Sequence, residues 1–245
     1  MAYFTDAEKE HFKEQGYVVK HDVVSMDLID KALDAIWDEI EADRNDPKTW
    51  IDAGPKGNLK CGNHPDVRAT LTDAPIQEMC EELVGKDTLR ISNHTFAKMI
   101  YPEGHDNWTT ARGMHLDGIT CEGVYDAFTI AVTVNINHIK PRSGGFTIWP
   151  GSHKRAHEYF RTHCILKGVD AFRGADGEYE NLPEPVDVTG PPGTVTFWHN
   201  LMLHSAGVNC GRDIRMALVS RFSRKDLNEI RFEYPEDMWT YWDGL

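Results

Sequence analysis

The chain has little of what would tie it to a membrane, a nucleic acid or an oxidising compartment. No run of about 18 apolar residues occurs, so no membrane-spanning helix is expected. The opening Met1-Ala2-Tyr3-Phe4-Thr5-Asp6 has no basic region followed by an apolar one, and no signal peptide is expected. Basic residues are scarce: 26 Lys and Arg stand against 39 Asp and Glu, for a net charge of −13. That balance disfavours nucleic acid or an anionic membrane as a partner. It does not bear on a small ligand, because one local basic pocket can override the global sign. The five cysteines (Cys61, Cys80, Cys121, Cys164, Cys210) are scattered, and no Cys-x-x-Cys is present. They read as reduced thiols of a cytoplasmic protein. Internal repeats and low-complexity tracts are also missing. What remains is an ordinary globular composition, 40% hydrophobic over 245 residues, enough to bury a full core.

The chain begins helical and turns to β. Thr5 and Glu8 form a capping box, and Gly16 is a plausible stop for a short helix carrying Phe12. Tyr17-Val18-Val19 is strand-like. Ser25 is placed to cap a longer helix with Leu28, Ile29, Leu33, Ile36, Trp37 and Ile40 at helical period. Residues 45–63 read as loop, and Pro75 begins another helix that Gly85 ends. From Leu89 the pattern is β: 89–101, 129–136, 146–149, 194–199, 201–207 and 214–222 read as strands. In 129–136 the residues Thr129, Ala131, Thr133 and Asn135 form a smaller, more polar face. Residues 154–190 read as a long irregular excursion, a lid or side wall. The terminal Trp239, Tyr241 and Trp242 should dock on the body or mediate a homo-oligomer. Helices followed by many short strands, without βαβ alternation, predict a mainly β fold with flanking helices (α+β), an antiparallel jelly roll with N-terminal helical support. One domain is expected over 1–245: a helical part to about 87, a core over about 88–223 and a tail over 224–245.

The chemistry centres on His115-Leu116-Asp117-Gly118. On an extended strand residues two apart share a face, so an imidazole and a carboxylate stand side by side. A third ligand is available in His204. Two histidines and one carboxylate are the usual holder of non-haem Fe(II), with positions left for a co-substrate and O₂. His199 competes, but its odd spacing from His204 places the two on opposite faces of a strand. Arg215 follows His204 after a turn at Asn209-Cys210-Gly211. A guanidinium is a two-pronged clamp for a carboxylate, which makes a dicarboxylic keto acid, 2-oxoglutarate, the natural co-substrate. His153 reads as a turn-stabilising residue. His105, Trp108, Arg112, Tyr125 and Asp126 flank the site, in contact with substrate or simply solvated.

Taken as a set, the motifs His115-Leu116-Asp117-Gly118, Gly145 to Trp149 leading into Pro150-Gly151-Ser152-His153-Lys154, and His204 with Asn209 and Arg215 resemble the phytanoyl-CoA dioxygenase family of Fe(II)/2-oxoglutarate oxygenases. The opening helix ending in Gly16-Tyr17-Val18-Val19 is similar too, and the likeness covers nearly the whole chain. The resemblance implies a double-stranded β-helix with His115, Asp117 and His204 as iron ligands and Arg215 on the distal carboxylate of 2-oxoglutarate. It also implies Lys60 near the co-substrate, and Thr133 is counted with Arg215 and Lys60 as a candidate co-substrate contact. Thr133 stands where many members have Trp, and Ala206 where many have Ser. The implied reaction is hydroxylation of an unactivated C–H in a small molecule, with succinate and CO₂ released. Related halogenases have Gly or Ala at the position of Asp117, so its presence argues for hydroxylation or desaturation. Two other classes remain open: a Zn²⁺ hydrolase on the same triad, and a metal-free binding protein on an oxygenase scaffold.

Overall fold

The computed structural model describes residues 2–92, 94–110, 113–119, 122–167 and 182–245. Arg112, Cys121 and part of the 154–190 excursion lie outside the described residues. Nine strands are found among them: β1 Tyr17–Lys20, β2 Asn58–Leu59, β3 Thr95–Ile100, β4 Ile130–Asn135, β5 Phe146–Ile148, β6 Val186–Val188, β7 Val195–His199, β8 His204–Ala206 and β9 Arg215–Phe222. They form a six-stranded sheet ordered β1-β7-β4-β9-β3-β2 and a three-stranded sheet ordered β6-β5-β8. Every pairing is antiparallel. The chain changes sheet between β7 and β8 and again between β8 and β9. That alternation builds the expected double-stranded β-helix.

Strand parity decides what the barrel holds. Val132, Phe197, Ser220 and their neighbours two residues away face one side of the large sheet, as the register Val132↔Phe197 and Val132↔Ser220 requires. On that side Ile130, Val132, Val134, Val195, Phe197, Met216 and Leu218 join the main hydrophobic core. The helices α1 Asp6–Gln15, α2 Met26–Trp37, α3 Pro65–Thr72 and α4 Ile76–Val84 supply its other half, through Phe12, Ile29, Ile36, Val67, Ile76 and Leu83. The opposite parity faces the barrel interior: Ala131 and Thr133 on β4, Trp198 on β7, Phe96 and Lys98 on β3, and Arg215, Val219 and Arg221 on β9. The small, polar face read in residues 129–135 is therefore the inner face, and its small side chains leave room there.

Local signals explain most helix ends. Thr5 and Glu8 make the full capping box on α1. Gly16 ends that helix at φ 82°, and a Cβ there would come within 2.2 Å of Met202 and 2.5 Å of the His153 ring. Glycine is thus required both for the left-handed backbone and for the close approach. Ser25 occupies the cap position of α2 but makes no side-chain capping bond. Two helices depart from the sequence reading. Residues 65–72, placed in no element, form α3 with Pro65 at its first turn and His64 accepting from Asp66 N. The start of the supposed excursion is α5, Ser152–Thr162. Its Ala156, Tyr159 and Phe160 have the i, i+3, i+4 spacing of a buried helix face. Dense His, Lys, Arg and Glu between them hide it from a composition-based reading. His153 is fully buried on α5, its Nε2 bonded to the Lys13 carbonyl at 3.1 Å, and burial pushes its pKa down to about 4.

The C-terminal tail docks on the body. Trp242 is 5% exposed, packs on Phe12 at 5.4 Å and stacks on His199 at 5.0 Å. Trp239 lies against Phe12, His153 and His199. Of the two roles expected for this aromatic tail, docking on the body is the one these contacts make. Trp242→Ala should cost about 3–5 kcal/mol of unfolding free energy by denaturant titration. Metal binding should be unaffected, since Trp242 packs on the side of β7 away from the barrel interior.

No helix among the described residues is long and apolar enough to cross a membrane. Cys61, Cys80, Cys164 and Cys210 are free thiols.

Candidate active site

His115 lies in an isolated bridge that extends the small sheet beyond β8, directly opposite His204. The two residues exchange both backbone hydrogen bonds: His115 N donates to His204 O at 3.0 Å, and His204 N to His115 O at 3.1 Å. Eighty-odd residues of intervening chain thus end in a single cross-strand pair. Gly118 turns the chain immediately after Asp117. Its φ is 78°, and a Cβ would come within 2.3 Å of the Asp126 carbonyl, so only glycine fits.

The side chains converge. His115 Nε2 is 3.2 Å and His204 Nε2 is 3.6 Å from the same Asp117 oxygen, Oδ1. One donor atom from each residue can be chosen so that all lie within 4.8 Å of one another. The opposite ring nitrogens are committed to the backbone. His115 Nδ1 bonds the Gly113 carbonyl at 2.6 Å, and His204 Nδ1 the Met202 carbonyl at 2.9 Å. A carbonyl only accepts, so each Nδ1 carries a proton, and Nε2 is the ring atom turned toward the carboxylate. Three such atoms close to one point form a group that could hold a metal ion, and ring orientation through the far nitrogen is how metal-binding histidines are held. Burial pushes the Asp117 carboxyl up, but hydrogen bonds with His115 and His204 and the charge of Arg221 together hold it far below the carboxylate range. The Asp117 carboxylate in turn raises the His115 pKa.

Arg215 opens β9 opposite Ile100 of β3. Asn209 sets it there: its amide nitrogen donates to Ile100 O and to Asp213 O, both at 2.8 Å, and its carbonyl accepts from Gly211 N at 2.9 Å. The arginine is 4% exposed, and its Nε has no hydrogen-bond partner among the described residues. Burial lowers its pKa to about 10. A buried guanidinium with an unmade hydrogen bond calls for an anion. Arg215, His115, Asp117 and His204 line one cavity of about 340 Å³, large enough for a small dicarboxylate. A second cavity, of about 360 Å³, adjoins it and shares His115, Met99, Ile100, Gly57 and Ala206.

Comparison with known proteins gives the same reading of fold and family. A family model, phytanoyl-CoA dioxygenase (PhyH), matches residues 12–217. The chain belongs to that family. No curated protein matches. Among solved structures, SnoK, the non-haem α-ketoglutarate-dependent carbocyclase from nogalamycin biosynthesis, is similar with a TM-score of 0.67 and 18% identity over 95% of this chain and 92% of that one. EctD from S. alaskensis, solved with 2-oxoglutarate and 5-hydroxyectoine, has a TM-score of 0.61 and 18% identity over 91% and 77%. The epimerase SnoN, in complex with Fe3+, α-ketoglutarate and nogalamycin RO, has a TM-score of 0.61 and 19% identity over 89% and 82%. At these identities the likeness is one of fold.

Within this phytanoyl-CoA dioxygenase family member, two expected co-substrate residues sit elsewhere. Lys60 is exposed, in a 3-10 turn after β2. Glu39 accepts from the backbone N–H of both Lys60 and Cys61, at 2.8 and 2.7 Å, and this turns the chain outward where a longer strand would have aimed Lys60 inward. The cavity lysine is Lys98, which pairs with Asn58 across β2–β3. It is half-buried, burial lowers its pKa, and its ammonium has no hydrogen-bond or ion-pair partner among the described residues. The Phe96, Lys98, Ile100 alternation was the signal that could have found it. Thr133 is on the inner face but does not line the cavity; its hydroxyl accepts from Trp198 Nε1 at 3.2 Å. The indole that lines the cavity therefore comes from β7, not from β4.

The flanking candidates separate in the same way. Asp126 reaches the site through Arg221. His105 pairs with Glu103, Trp108 lies against Arg142, and Tyr125 packs beneath the tail. His199 points away from the triad and accepts from Leu201 N at 3.1 Å. The residue that sequence reasoning missed altogether is Arg221, whose guanidinium is 2.8 Å from Asp117 Oδ2.

Proposed function

We propose that this chain is a non-haem Fe(II)- and 2-oxoglutarate-dependent dioxygenase that hydroxylates an unactivated C–H of a small molecule and releases succinate and CO₂. The observation that carries the reading is the convergence of His115 Nε2, His204 Nε2 and Asp117 Oδ1 in one cavity with the buried Arg215, whose Nε has no hydrogen-bond partner among the described residues. His115, Asp117 and His204 would hold the metal; two neutral imidazoles and one carboxylate leave it a net positive charge. When bound, Fe(II) supplies O₂ activation coupled to decarboxylation of the keto acid. Arg215 clamps the distal carboxylate of that acid and so sets which end meets the metal. The apolar wall formed by Phe96, Phe146, Trp198 and Val219 keeps bulk water from the reacting atoms. The adjoining cavity on the His115 side receives the substrate.

Family membership supports a dioxygenase, and neighbours bearing Fe or 2-oxoglutarate support the cofactor set. Those neighbours include a carbocyclase and an epimerase, so the fold accommodates several oxidative outcomes. A Zn²⁺ hydrolase would have no use for a buried Arg215. The test is anaerobic loading with Fe(II), followed by O₂ and assay of succinate from 2-oxoglutarate. Fe(II)-dependent succinate is expected, stimulated by the true substrate in a compound screen. No succinate with Fe(II), but hydrolysis with Zn²⁺, would sink the reading. As a ligand, Asp117 would fill the position that halide needs, so the product should carry hydroxyl and no chlorine even at high chloride. A chlorine isotope pattern in the product mass spectrum would contradict this.

A further inference from the structure

The two oxygens of Asp117 are used for different purposes. Oδ1 faces both imidazoles, at 3.2 and 3.6 Å. Oδ2 is taken by Arg221, whose NH2 lies 2.8 Å away. The guanidinium is itself fixed. Its NH1 donates to Asp126 Oδ2 at 3.1 Å, and its carbon sits 5.4 Å from the centre of the Phe96 ring and 5.0 Å from that of Phe128. Asp126 is tied back to the same loop, its N–H donating to the Gly118 carbonyl at 2.9 Å. Arg221 also shares the inner face of β9 with Arg215, six residues earlier, so one rigid strand carries both arginines. It lies beyond residue 217, where the family match ends.

We propose that Arg221 is a positioning residue for the metal centre: it binds Asp117 Oδ2 and thereby holds the carboxylate so that only Oδ1 is presented between the two histidines. A carboxylate free to rotate could offer both oxygens to a metal, filling a position that a keto acid needs. Arg221 removes that freedom with a charge-assisted bond from a guanidinium that is already ordered by two rings and a second acid. The arginine acts through Asp117. Its own charge repels a cation, so the proposal requires that the gain from ordering Asp117 outweigh that repulsion.

The inference rests on the metal reading above, and Mn(II) binding tests the two separately. Mn(II) binding is followed by the free-ion electron paramagnetic resonance signal, without O₂, 2-oxoglutarate or turnover. Wild type should bind. Arg221→Met, which keeps an apolar stem between Phe96 and Phe128, should bind about 10–100-fold more weakly, the usual loss when the partner of a metal ligand is removed. Arg221→Lys should recover part of the affinity, because an ammonium can reach Oδ2 but cannot also span to Asp126. Arg215→Ala should leave Mn(II) affinity unchanged, which separates positioning of Asp117 from loss of any inward arginine. A purely structural role for Arg221 predicts a lower melting temperature with unchanged Mn(II) affinity; that result overturns the proposal. So does tighter binding by Arg221→Met, which would mean that charge repulsion dominates, and so does equal binding by the Met and Lys variants. If Arg221→Met fails to fold by circular dichroism, Arg221→Lys decides: weaker binding than wild type supports the proposal and unchanged binding overturns it. If wild type binds no Mn(II), the metal reading falls first and this inference with it.

Discussion

His204→Ala is expected to abolish metal binding and, with it, succinate formation. The imidazole is 6% exposed, one of three donors converging on one point, and its backbone pairs with His115. Removing a group behind a metal ligand typically costs about 10–100-fold in affinity, so loss of a ligand should exceed about 100-fold. His115→Ala and Asp117→Ala should do the same. Asp117→Ala also strands the Arg221 charge beside the histidines, and should be the most destabilising of the three. The control is His199→Ala. His199 is buried, burial holds its pKa well below the usual range, and it stacks on Trp242 on the other side of β7. Its loss should lower thermal stability and leave the metal in place. Metal content after reconstitution, measured on folded protein, checks all four. A His204→Ala variant that retains iron while His199→Ala loses it would reverse the assignment.

Arg215→Ala should leave metal affinity intact and weaken 2-oxoglutarate. Truncating one partner of a buried charge pair costs about 2–5 kcal/mol, mostly by leaving the other charge unpaired. At about 1.4 kcal/mol per tenfold, the loss of affinity is roughly 30-fold or more. Arg215→Lys should recover only a part, since an ammonium lacks the parallel fork. The competing partner is Asp187, whose charge is felt at Arg215 but whose carboxyl is itself pushed up by burial. If Asp187 were the only business of Arg215, the substitution would change stability and leave the 2-oxoglutarate dissociation constant as it was. Titration of 2-oxoglutarate into the anaerobic Fe(II) protein and its variant separates the two. Equal affinities would remove the main physical ground for 2-oxoglutarate as co-substrate.

Some of this was legible residue by residue. His115 and Asp117 do converge as their two-residue spacing suggested, although His115 lies in an isolated bridge and Asp117 in the turn that follows it. His199 and His204 part company for another reason than parity on one strand: a turn separates β7 of the large sheet from β8 of the small one. The Thr5–Glu8 cap, the strand of 129–136 and its small inner face follow from equally local rules. Where a reading depended on the length of a strand or on a distant acid, it failed. Lys60 would have pointed inward, like Asn58, had β2 run one residue further; Glu39, on the chain leading away from α2, captures the two N–H groups that end it. The α5 helix was hidden because its buried face packs against Leu201 and Leu203, some forty residues further along the chain.

The sequence alone determined the donor types and the turn glycines, because each depends on neighbours within a few bonds. It also singled out His204 as the candidate third ligand and Arg215 as the candidate clamp. Only the tertiary structure decided which cations share the cavity. Lys98 enters through the pairing of β3 with β9, and Arg221 reaches Asp117 because a strand of the large sheet and a loop beside the small one face each other across the barrel. Such contacts join residues more than a hundred positions apart, and no local propensity encodes them. They are set by how the two sheets pack.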